Sequence, residues 1–385
     1  MKKDKRIPVI IAVADGISGV MSWASRLKSV FKNHSRYNIL LLGCRAKPNA
    51  DNAFDFFAPD WKTAYEILHE IEPAIIVPNF IFDLIEISAE LISQGKNIRC
   101  IGFCRADTDE EYYNPLSWYE PLISTFIAVS PECAEKLTER IPFRAQNIEV
   151  LPTGVSVPEK LKRNYQNKPL RIIYAGRIVQ KQKRAMDFVP LVKNLLSLNV
   201  DFVFDIVGGG SELLALKEAM LKIEHHGRVR FHDRVASECM DKIWSEHDVF
   251  IQTSDFEGTS NSMLEAMAQG MIPLVTRTKS GVDGVIEDGK NGFVVPIGDM
   301  KAIAEKIKFL ASHSEKIQKI GRNAYITSKK YSIDSYAEKF ENILNKTLQF
   351  PLRTWPAGKS LVPETEVVAL TLPREDREKK SMISN

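Results

Sequence analysis

The sequence DFEGTSNSMLEAMAQG occupies residues 255–270 and directly follows a short apolar run at residues 249–253. The run predicts a buried strand, and the apolar residues that recur at helical spacing after residue 262 predict a helix. In parallel sheets, ligands bind at the carboxyl ends of strands, and the N–H groups that start the next helix attract phosphate. Glu257 and Glu265 lie eight positions apart across this turn. Because an ionised carboxylate accepts two hydrogen bonds at once, the turn predicts a ligand with both phosphate and paired hydroxyl groups.

Short apolar runs alternate with helical patterns on both sides of this turn, which predicts βαβ units and parallel sheets. The polar stretch at residues 158–169 separates two series of such runs. We therefore predict an α/β protein with two Rossmann-like domains that face each other across a cleft. The predicted strands are 8–14, 37–42, 74–77, 98–103 and 126–129 in the first series, and 170–175, 202–207, 229–231, 249–253, 272–276 and 292–295 in the second.

The domain boundaries follow from the same alternation of predicted strands and helices. We predict a first domain at residues 1–157, a linker at 158–169 and a second domain at 170–331. Residues 332–350 predict an amphipathic helix, since Tyr336, Phe340, Ile343 and Leu344 fall on one face. The tail at 351–385 carries several prolines and a charged run, and we expect it to be poorly ordered.

The composition limits the classes of function. A chain of 385 residues suits two domains, and its net charge of +3 is too small to indicate a nucleic-acid partner. Five scattered cysteines without a Cys-x-x-Cys pair predict neither a disulfide framework nor a zinc site, which fits a reducing cytoplasm. The first apolar run predicts a strand, not a signal peptide, and no run approaches the roughly 20 residues that span a bilayer. Any membrane contact is then expected to be peripheral.

A basic motif follows the first strand of the second domain. Residues 174–184 read YAGRIVQKQKR and contain Arg177 and Lys183. Gly176 permits a tight turn, after which both cations can project back toward the strand end. Two cations directed at a diphosphate stabilise the charge that develops as it leaves, so we predict no metal ion.

Three weaker motifs accompany it. Residues 206–212 read IVGGGSE, but Leu213 stands where the dinucleotide fingerprint requires a glycine. These glycines either permit close strand-to-helix packing or lie near a phosphate. The strand end at 228–235 can present backbone groups to a base, and residues 15–20 form a loop that opens a helix in the first domain.

Taken in order, these motifs and residues 127–131, 151–155 and 281–296 resemble the GT-B retaining glycosyltransferases of family 4 over roughly residues 8–345. The resemblance implies that Arg177 and Lys183 grip the donor diphosphate, that Glu257 holds the transferred sugar and that Glu265 holds the ribose. Arg177, Lys183 and Glu257 are the predicted catalytic residues. It also implies that the helix at 332–350 crosses back to the first domain. The predicted donor-binding residues are Gly19, Gly176, Gly209, Val235, Gly258, Ser260, Asn261 and Glu265.

The same resemblance implies the substrates. The donor is a nucleoside diphosphate sugar of UDP or GDP type, bound as a substrate with no cofactor and no metal. The acceptor is a saccharide or a lipid-linked saccharide in the assembly of surface polysaccharide or glycolipid. The protein is expected in the cytoplasm, with peripheral contact to the inner membrane face.

One position departs from the family pattern. Residues 103–107 read FCRAD, so Arg105 stands where many relatives carry a histidine that contacts the sugar. A retaining transferase can let its leaving phosphate accept the acceptor's proton, so this change need not abolish the activity, but it bears on the sugar contacts and on the identity of the acceptor. We predict Arg105, Asp107 and Tyr112 as residues on the acceptor side.

Simpler structural interpretations exist for several of these residues. Glu265 follows Ser262 at capping-box spacing and can instead cap its own helix. Arg177 and Lys183 can be solvated loop charges. The aromatic rings at 112, 113, 118 and 119 either line an acceptor groove or pack in the core. The helix that carries Trp23 either docks on a membrane surface or packs in the core.

Three other functions remain open from the sequence. A sugar-nucleotide epimerase on the same fold would need acid–base groups that are scarce in these motifs. A nucleotide-sugar-binding scaffold without catalysis would bind donor and not turn it over. A dinucleotide oxidoreductase would need the glycine fingerprint, which is absent.

Overall fold

A computed structural model describes residues 5–14, 19–34, 36–45, 54–163, 165, 169–236, 239–361, 363 and 371–374. The chain divides into two compact units. Unit 1 comprises Met1–Pro152 and Ile333–Asn385, and unit 2 comprises Thr153–Ser332. Within these described residues, none of the helices combines the length and the hydropathy needed to traverse a bilayer.

Unit 1 is built on a parallel sheet in the order β3-β2-β1-β4-β5-β6-β7, counted over the described residues. Chain order reverses between β1 and β4, which is the switch point where doubly wound sheets bind ligands. The strands are β1 (Ile7–Ala14), β2 (Tyr37–Cys44), β3 (Phe56–Ala58), β4 (Ile75–Val77), β5 (Arg99–Cys104), β6 (Ile123–Ala128) and β7 (Ile148–Val150). The helices are α1 (Gly19–Phe31), α2 (Trp61–Ile71), α3 (Asp83–Ser93), α4 (Asn114–Trp118) and α5 (Pro131–Arg140).

Both faces of the unit 1 sheet are buried. Along β1, Ile10 and Ala12 join one apolar cluster while Val9, Ile11 and Val13 join the other. Such strands read as continuous apolar runs because helices cover both faces. This burial is why the runs were recognisable in the sequence, whereas the three-residue edge strands β3 and β7 were not predicted.

The last helix, α13 (Ile333–Gln349), packs on unit 1. Its predicted apolar face is confirmed, since Tyr336, Phe340, Ile343 and Leu344 are all buried in the cluster that also contains Trp23. The Trp23 ring lies edge-on to Tyr336 with centroids 6.1 Å apart. Trp23 of α1 therefore packs in the core and is not available to a membrane surface.

Unit 2 repeats the arrangement with a parallel sheet in the order β10-β9-β8-β11-β12-β13. Its strands are β8 (Leu170–Ala175), β9 (Phe202–Val207), β10 (Val229–His232), β11 (Val249–Gln252), β12 (Ile272–Thr276) and β13 (Phe293–Val295). All six predicted strands of the second series are confirmed. The helices are α6 (Gln180–Lys183), α7 (Phe188–Ser197), α8 (Leu213–Leu221), α9 (Met240–Ser245), α10 (Asn261–Ala268), α11 (Met300–Ser312) and α12 (Ser314–Ser328).

The predicted linker and the C-terminal tail both contain residues with defined contacts. Arg163, within the predicted linker, is buried and donates to the Gln269 carbonyl at 2.7 Å. In the tail, Leu372 is 2% exposed, and Arg374 pairs with Asp83 at 2.6 Å. These described tail residues therefore have defined contacts, because buried carboxylates of unit 1 bind this arginine, and the expectation of a poorly ordered tail stays a prediction for the rest. Tail residues 362, 364–370 and 375–385, and residues 15–18 of the predicted loop at 15–20, lie outside the described residues.

Candidate active site

The turn after β11 leads directly into α10 at the carboxyl edge of the unit 2 sheet. Ser260 is the N-cap of this helix and accepts a hydrogen bond from the Met263 N–H at 3.3 Å. Because the helix begins at Asn261, Glu265 lies at its fifth position and is not the partner in a capping box. The interpretation of Glu265 as a cap is therefore wrong, and its half-exposed side chain lies one turn into the helix.

Lys183 and Glu257 form an ion pair at this turn. The Lys183 Nζ lies 2.5 Å from Glu257 Oε1, although the two residues are 74 positions apart. Glu257 also accepts from the Ser254 hydroxyl at 2.6 Å, and the Thr253 hydroxyl donates to the Lys183 carbonyl at 2.8 Å. The Glu257 side chain is only 9% exposed and that of Lys183 is 17% exposed. The two sequence motifs thus meet in one charge-assisted contact, which excludes the interpretation of Lys183 as a solvated loop charge.

Arg177 lies in the same loop as Lys183 but is exposed. Its guanidinium donates to the side-chain oxygen of Gln182, and its carbonyl accepts from the Tyr174 hydroxyl at 2.5 Å. Burial, and after it the negative charge of Glu257, raises the pKa of Tyr174 well above its usual range. Tyr174 therefore stays a neutral donor that fixes the loop.

Arg184 forms a second ionic link that the sequence did not single out. It lies 3.1 Å from Asp255 and 2.7 Å from Asp187, and its backbone is left-handed with φ +50°. The Asp255 N–H also donates to the Gln182 carbonyl at 2.9 Å. These bonds fasten the basic loop to the start of the acidic turn, so that Lys183 and Glu257 are held together. The signal in the sequence was Asp255, an acidic residue two positions before Glu257.

Two glycines let loops approach at distances that no side chain tolerates. A Cβ at Gly281 (φ +76°) would lie 1.4 Å from the Gly258 carbonyl oxygen. A Cβ at Gly208 (φ +137°) would lie 2.0 Å from the Gly176 oxygen. The first glycine of the 208–210 run thus permits close approach to the backbone of the basic loop after β8 and not the predicted strand-to-helix packing. The predicted role of Gly209 at a phosphate stays a prediction, as does that of the half-buried Val235.

An aspartate of β9, a histidine at the end of β10 and a histidine between α9 and β11 form a cluster in unit 2. Asp205 is buried, and its two oxygens lie 2.7 Å from His232 Nε2 and 2.8 Å from His247 Nε2. Burial raises the pKa of Asp205, but the hydrogen bonds from His247 and His232 outweigh it and leave the pKa below its ordinary value. Within the described ranges, no group of three or more His, Cys, Asp or Glu side chains is arranged to hold a metal ion.

The predicted acceptor-side residues lie in unit 1. Arg105 follows β5 and donates to the Asn79 side-chain oxygen from Nε at 3.0 Å and Nη2 at 2.8 Å. Asp107 accepts from Lys136 at 2.8 Å and from the Tyr113 hydroxyl at 3.1 Å. Tyr112 is 8% exposed and joins the core. Arg105 and Asp107 therefore have separate partners, and the core interpretation holds for most of the Tyr112 ring.

Comparison with known protein families finds one family whose model matches part of this chain. Residues 158–327 match the model of the glycosyl transferases group 1. That group 1 match contains the basic loop, the acidic turn and α10. The part of the chain that carries the Lys183–Glu257 pair is therefore the part that matches the family.

Relatives and solved structures extend the comparison. The chain is 28% identical over 169 residues to the amylovoran biosynthesis glycosyltransferase AmsK of Erwinia amylovora. The aligned region covers 42% of this chain and 41% of AmsK. It is 27% identical to the capsular polysaccharide biosynthesis glycosyltransferase CapM of Staphylococcus aureus, over 49% of this chain and 50% of CapM. The chain thus spans about half the length of these curated relatives.

A variant of S. aureus TarM, solved with fondaparinux, alpha-GlcNAc-glycerol and UDP, superposes with a TM-score of 0.75. The two are 13% identical, and the superposition covers 88% of this chain and 99% of TarM. At this identity the likeness concerns the fold. The predicted fold class, GT-B with two Rossmann-like units, is confirmed.

Proposed function

We propose that this protein is a glycosyltransferase that moves a sugar from a nucleoside diphosphate donor to a hydroxyl group of a saccharide or lipid-linked saccharide acceptor. The observation that carries the proposal is the buried Lys183–Glu257 pair beside the start of α10, inside the stretch that matches the group 1 family. A cation for a diphosphate and a carboxylate for sugar hydroxyls are held together there. The donor is of UDP or GDP type and acts as a substrate, with no cofactor.

The proposed reaction retains the anomeric configuration and uses no metal ion. The acceptor oxygen bonds to the anomeric carbon as the bond from that carbon to the diphosphate breaks, and the acceptor's proton passes to a phosphate oxygen. Lys183 and Arg177 stabilise the negative charge that develops on the diphosphate. The diphosphate offers Lys183 a more highly charged partner than Glu257, so oxygen lone pairs of Glu257 become available to sugar hydroxyls.

The remaining donor-side residues complete this assignment. Glu265 accepts the ribose hydroxyls, and N–H groups near Ser260 and Asn261 receive phosphate at the start of α10. Gly19, which begins α1 in unit 1, is a further residue that we propose for donor binding. Gly176 and Gly258 let the two loops approach the ligand.

The relatives that make amylovoran and capsular polysaccharide support a role in surface polysaccharide or glycolipid assembly. We include in the proposal the retaining mechanism of family 4, a cytoplasmic location and peripheral contact with the inner membrane face. We include the membrane contact because the proposed acceptors include lipid-linked saccharides.

Calorimetric titration with a panel of UDP- and GDP-sugars, in the presence of EDTA, tests the proposal. We expect wild type to bind one donor selectively and Glu265→Ala to bind it at least ~10-fold more weakly, about 1.4 kcal/mol. Glu305→Ala, which removes an exposed carboxylate of α11, should leave the affinity unchanged. Binding of no donor, or binding that needs a divalent metal, contradicts the proposal.

Product analysis separates the alternatives. A glycosylated acceptor with the donor's anomeric configuration supports a retaining transferase. A rearranged sugar nucleotide formed without acceptor would identify an epimerase. Donor binding without turnover on a broad acceptor panel would identify a scaffold.

A further inference from the structure

Arg105 is a half-buried cation at the switch point of the unit 1 sheet. It directly follows β5, and its partner Asn79 follows β4 with a left-handed backbone, φ +51°. Asn79 in turn donates to the Ala12 carbonyl of β1 at 2.6 Å. The guanidinium is thus fixed where the carboxyl ends of β1, β4 and β5 meet, which is the edge where doubly wound sheets bind ligands.

The groups around this guanidinium are neutral. Its central carbon lies 4.0 Å from the Trp23 ring centroid and 4.1 Å from that of Phe103. Burial lowers the pKa of Arg105, and the nearby phenols of Tyr336 and Tyr112 oppose this only in part. Among the described residues, no carboxylate forms an ion pair with Arg105, although Asp107 lies two positions away and pairs with Lys136. Amide, indole, benzyl and phenol groups do not neutralise a guanidinium.

The hydrogen bonds leave one edge of the guanidinium available. Nε and Nη2 both donate to the single oxygen of Asn79, so Nη1 has no protein acceptor within the described ranges. A guanidinium carries five N–H donors in a planar fork that matches carboxylate and phosphate. Buried charges in proteins are normally paired. Arg144 of the same unit illustrates this, since it pairs with Glu120 and also donates to backbone carbonyls.

We propose that Arg105 binds an anionic group of the acceptor, so that the acceptor carries a phosphate or a carboxylate. This inference rests on the proposed function. The donor diphosphate is assigned to Arg177 and Lys183 of unit 2, whereas Arg105 belongs to unit 1, where the acceptor is expected. Trp23, Phe103 and Asn79 hold the guanidinium plane in one orientation, which makes its fork selective for planar or tetrahedral oxyanions.

The test compares matched neutral and charged probes that bind without any transfer reaction. Ligand-observed NMR on the full-length protein would measure binding of methyl glucuronide against methyl glucoside, and of glycerol 1-phosphate against glycerol. We expect wild type to bind at least one charged probe ~10-fold or more tightly than its neutral match. Arg105→Gln should abolish that preference, and Arg105→Lys should retain part of it because the charge remains without the fork.

The controls separate this inference from the proposed function. Arg140→Gln removes an exposed cation of the same unit that pairs with Asp109, and it should preserve the preference. Calorimetric titration of the UDP- and GDP-sugar panel should give equal donor affinities for wild type and Arg105→Gln. If wild type binds no donor, the proposed function fails while the probe comparison still decides the inference.

Several results would overturn the inference. They are an equal affinity of wild type for charged and neutral probes, no binding of any probe, or an equal loss in Arg140→Gln. Weaker donor binding by Arg105→Gln would assign the anion to the donor diphosphate instead. Should Arg105→Gln fail to fold, Arg105→Lys supplies the comparison.

Discussion

Unit 1 and unit 2 share a strand order and each carries a cation at the carboxyl edge of its sheet, but the two cations have different surroundings. Lys183 of unit 2 lies against Glu257, whereas Arg105 of unit 1 lies among neutral groups in the described residues. A paired cation is held in place before any ligand arrives, while an unpaired one retains its capacity for an external anion. The same fold therefore supports two kinds of charged site.

Removing one partner of the paired site tests this difference with the largest expected effect. Lys183→Ala should lower transfer by roughly 10²- to 10³-fold because a charge that stabilises the leaving diphosphate is lost. It should also lower the free energy of unfolding by about 1–3 kcal/mol, because Glu257 is left buried without its cation. Turnover assays and chemical denaturation measure the two quantities.

The control for this variant is Lys181→Ala, which removes an exposed lysine from the same short helix, α6. It should change neither quantity noticeably. Full transfer activity in Lys183→Ala would show that the pair serves only the fold. Unchanged unfolding with lost transfer would show that Glu257 finds another partner.

The close approach of two loops in unit 2 predicts the next effect. Gly281→Ala should destabilise the protein by about 3 kcal/mol, because the new Cβ would meet the Gly258 oxygen in a backbone that is already left-handed. Gly284→Ala is the matched control, since its φ is +82° but nothing lies within 4 Å of its Cβ. It should cost only the backbone strain, about 1–2 kcal/mol. Equal losses in chemical denaturation would mean that the approach of the two loops contributes nothing.

The aspartate–histidine cluster of unit 2 predicts the smallest effect, which depends on pH. The pKa of Asp205 is lower in the folded protein than its ordinary value of 3.8. Its contribution to stability is therefore present above that ordinary value and is lost as the pH falls through the lowered folded value. We expect Asp205→Asn to reduce the free energy of unfolding by about 1–1.5 kcal/mol near neutral pH.

Denaturation of wild type and Asp205→Asn between about pH 3 and pH 7 checks this. The difference between the two proteins should shrink on acidification. A difference that is constant over this range would indicate that the carboxylate charge does not stabilise the cluster.

Much of the fold and part of the site could be predicted from local pattern. Strands such as β8 and β11 are continuous apolar runs because helices cover both faces of the sheet, and α13 shows its buried face at helical spacing. Strands β3 and β7 lie at the edges of the sheet and are less buried than β4, which has the same length and was predicted. Arg184 was missed as a link because its partner Asp255 is 71 positions away.

The sequence by itself determined the two series of βαβ units, the turn that holds Glu257 and the helix that begins after Ser260, because periodicity and turn chemistry act over a few residues. Only the tertiary structure decided which charges are compensated. Glu257 meets Lys183 across 74 positions, Arg374 of the tail meets Asp83, and Arg105 meets neutral side chains from α1, the β4 end and α13. The charge state and burial of a group depend on every element that surrounds it, and those elements come together only in the folded chain.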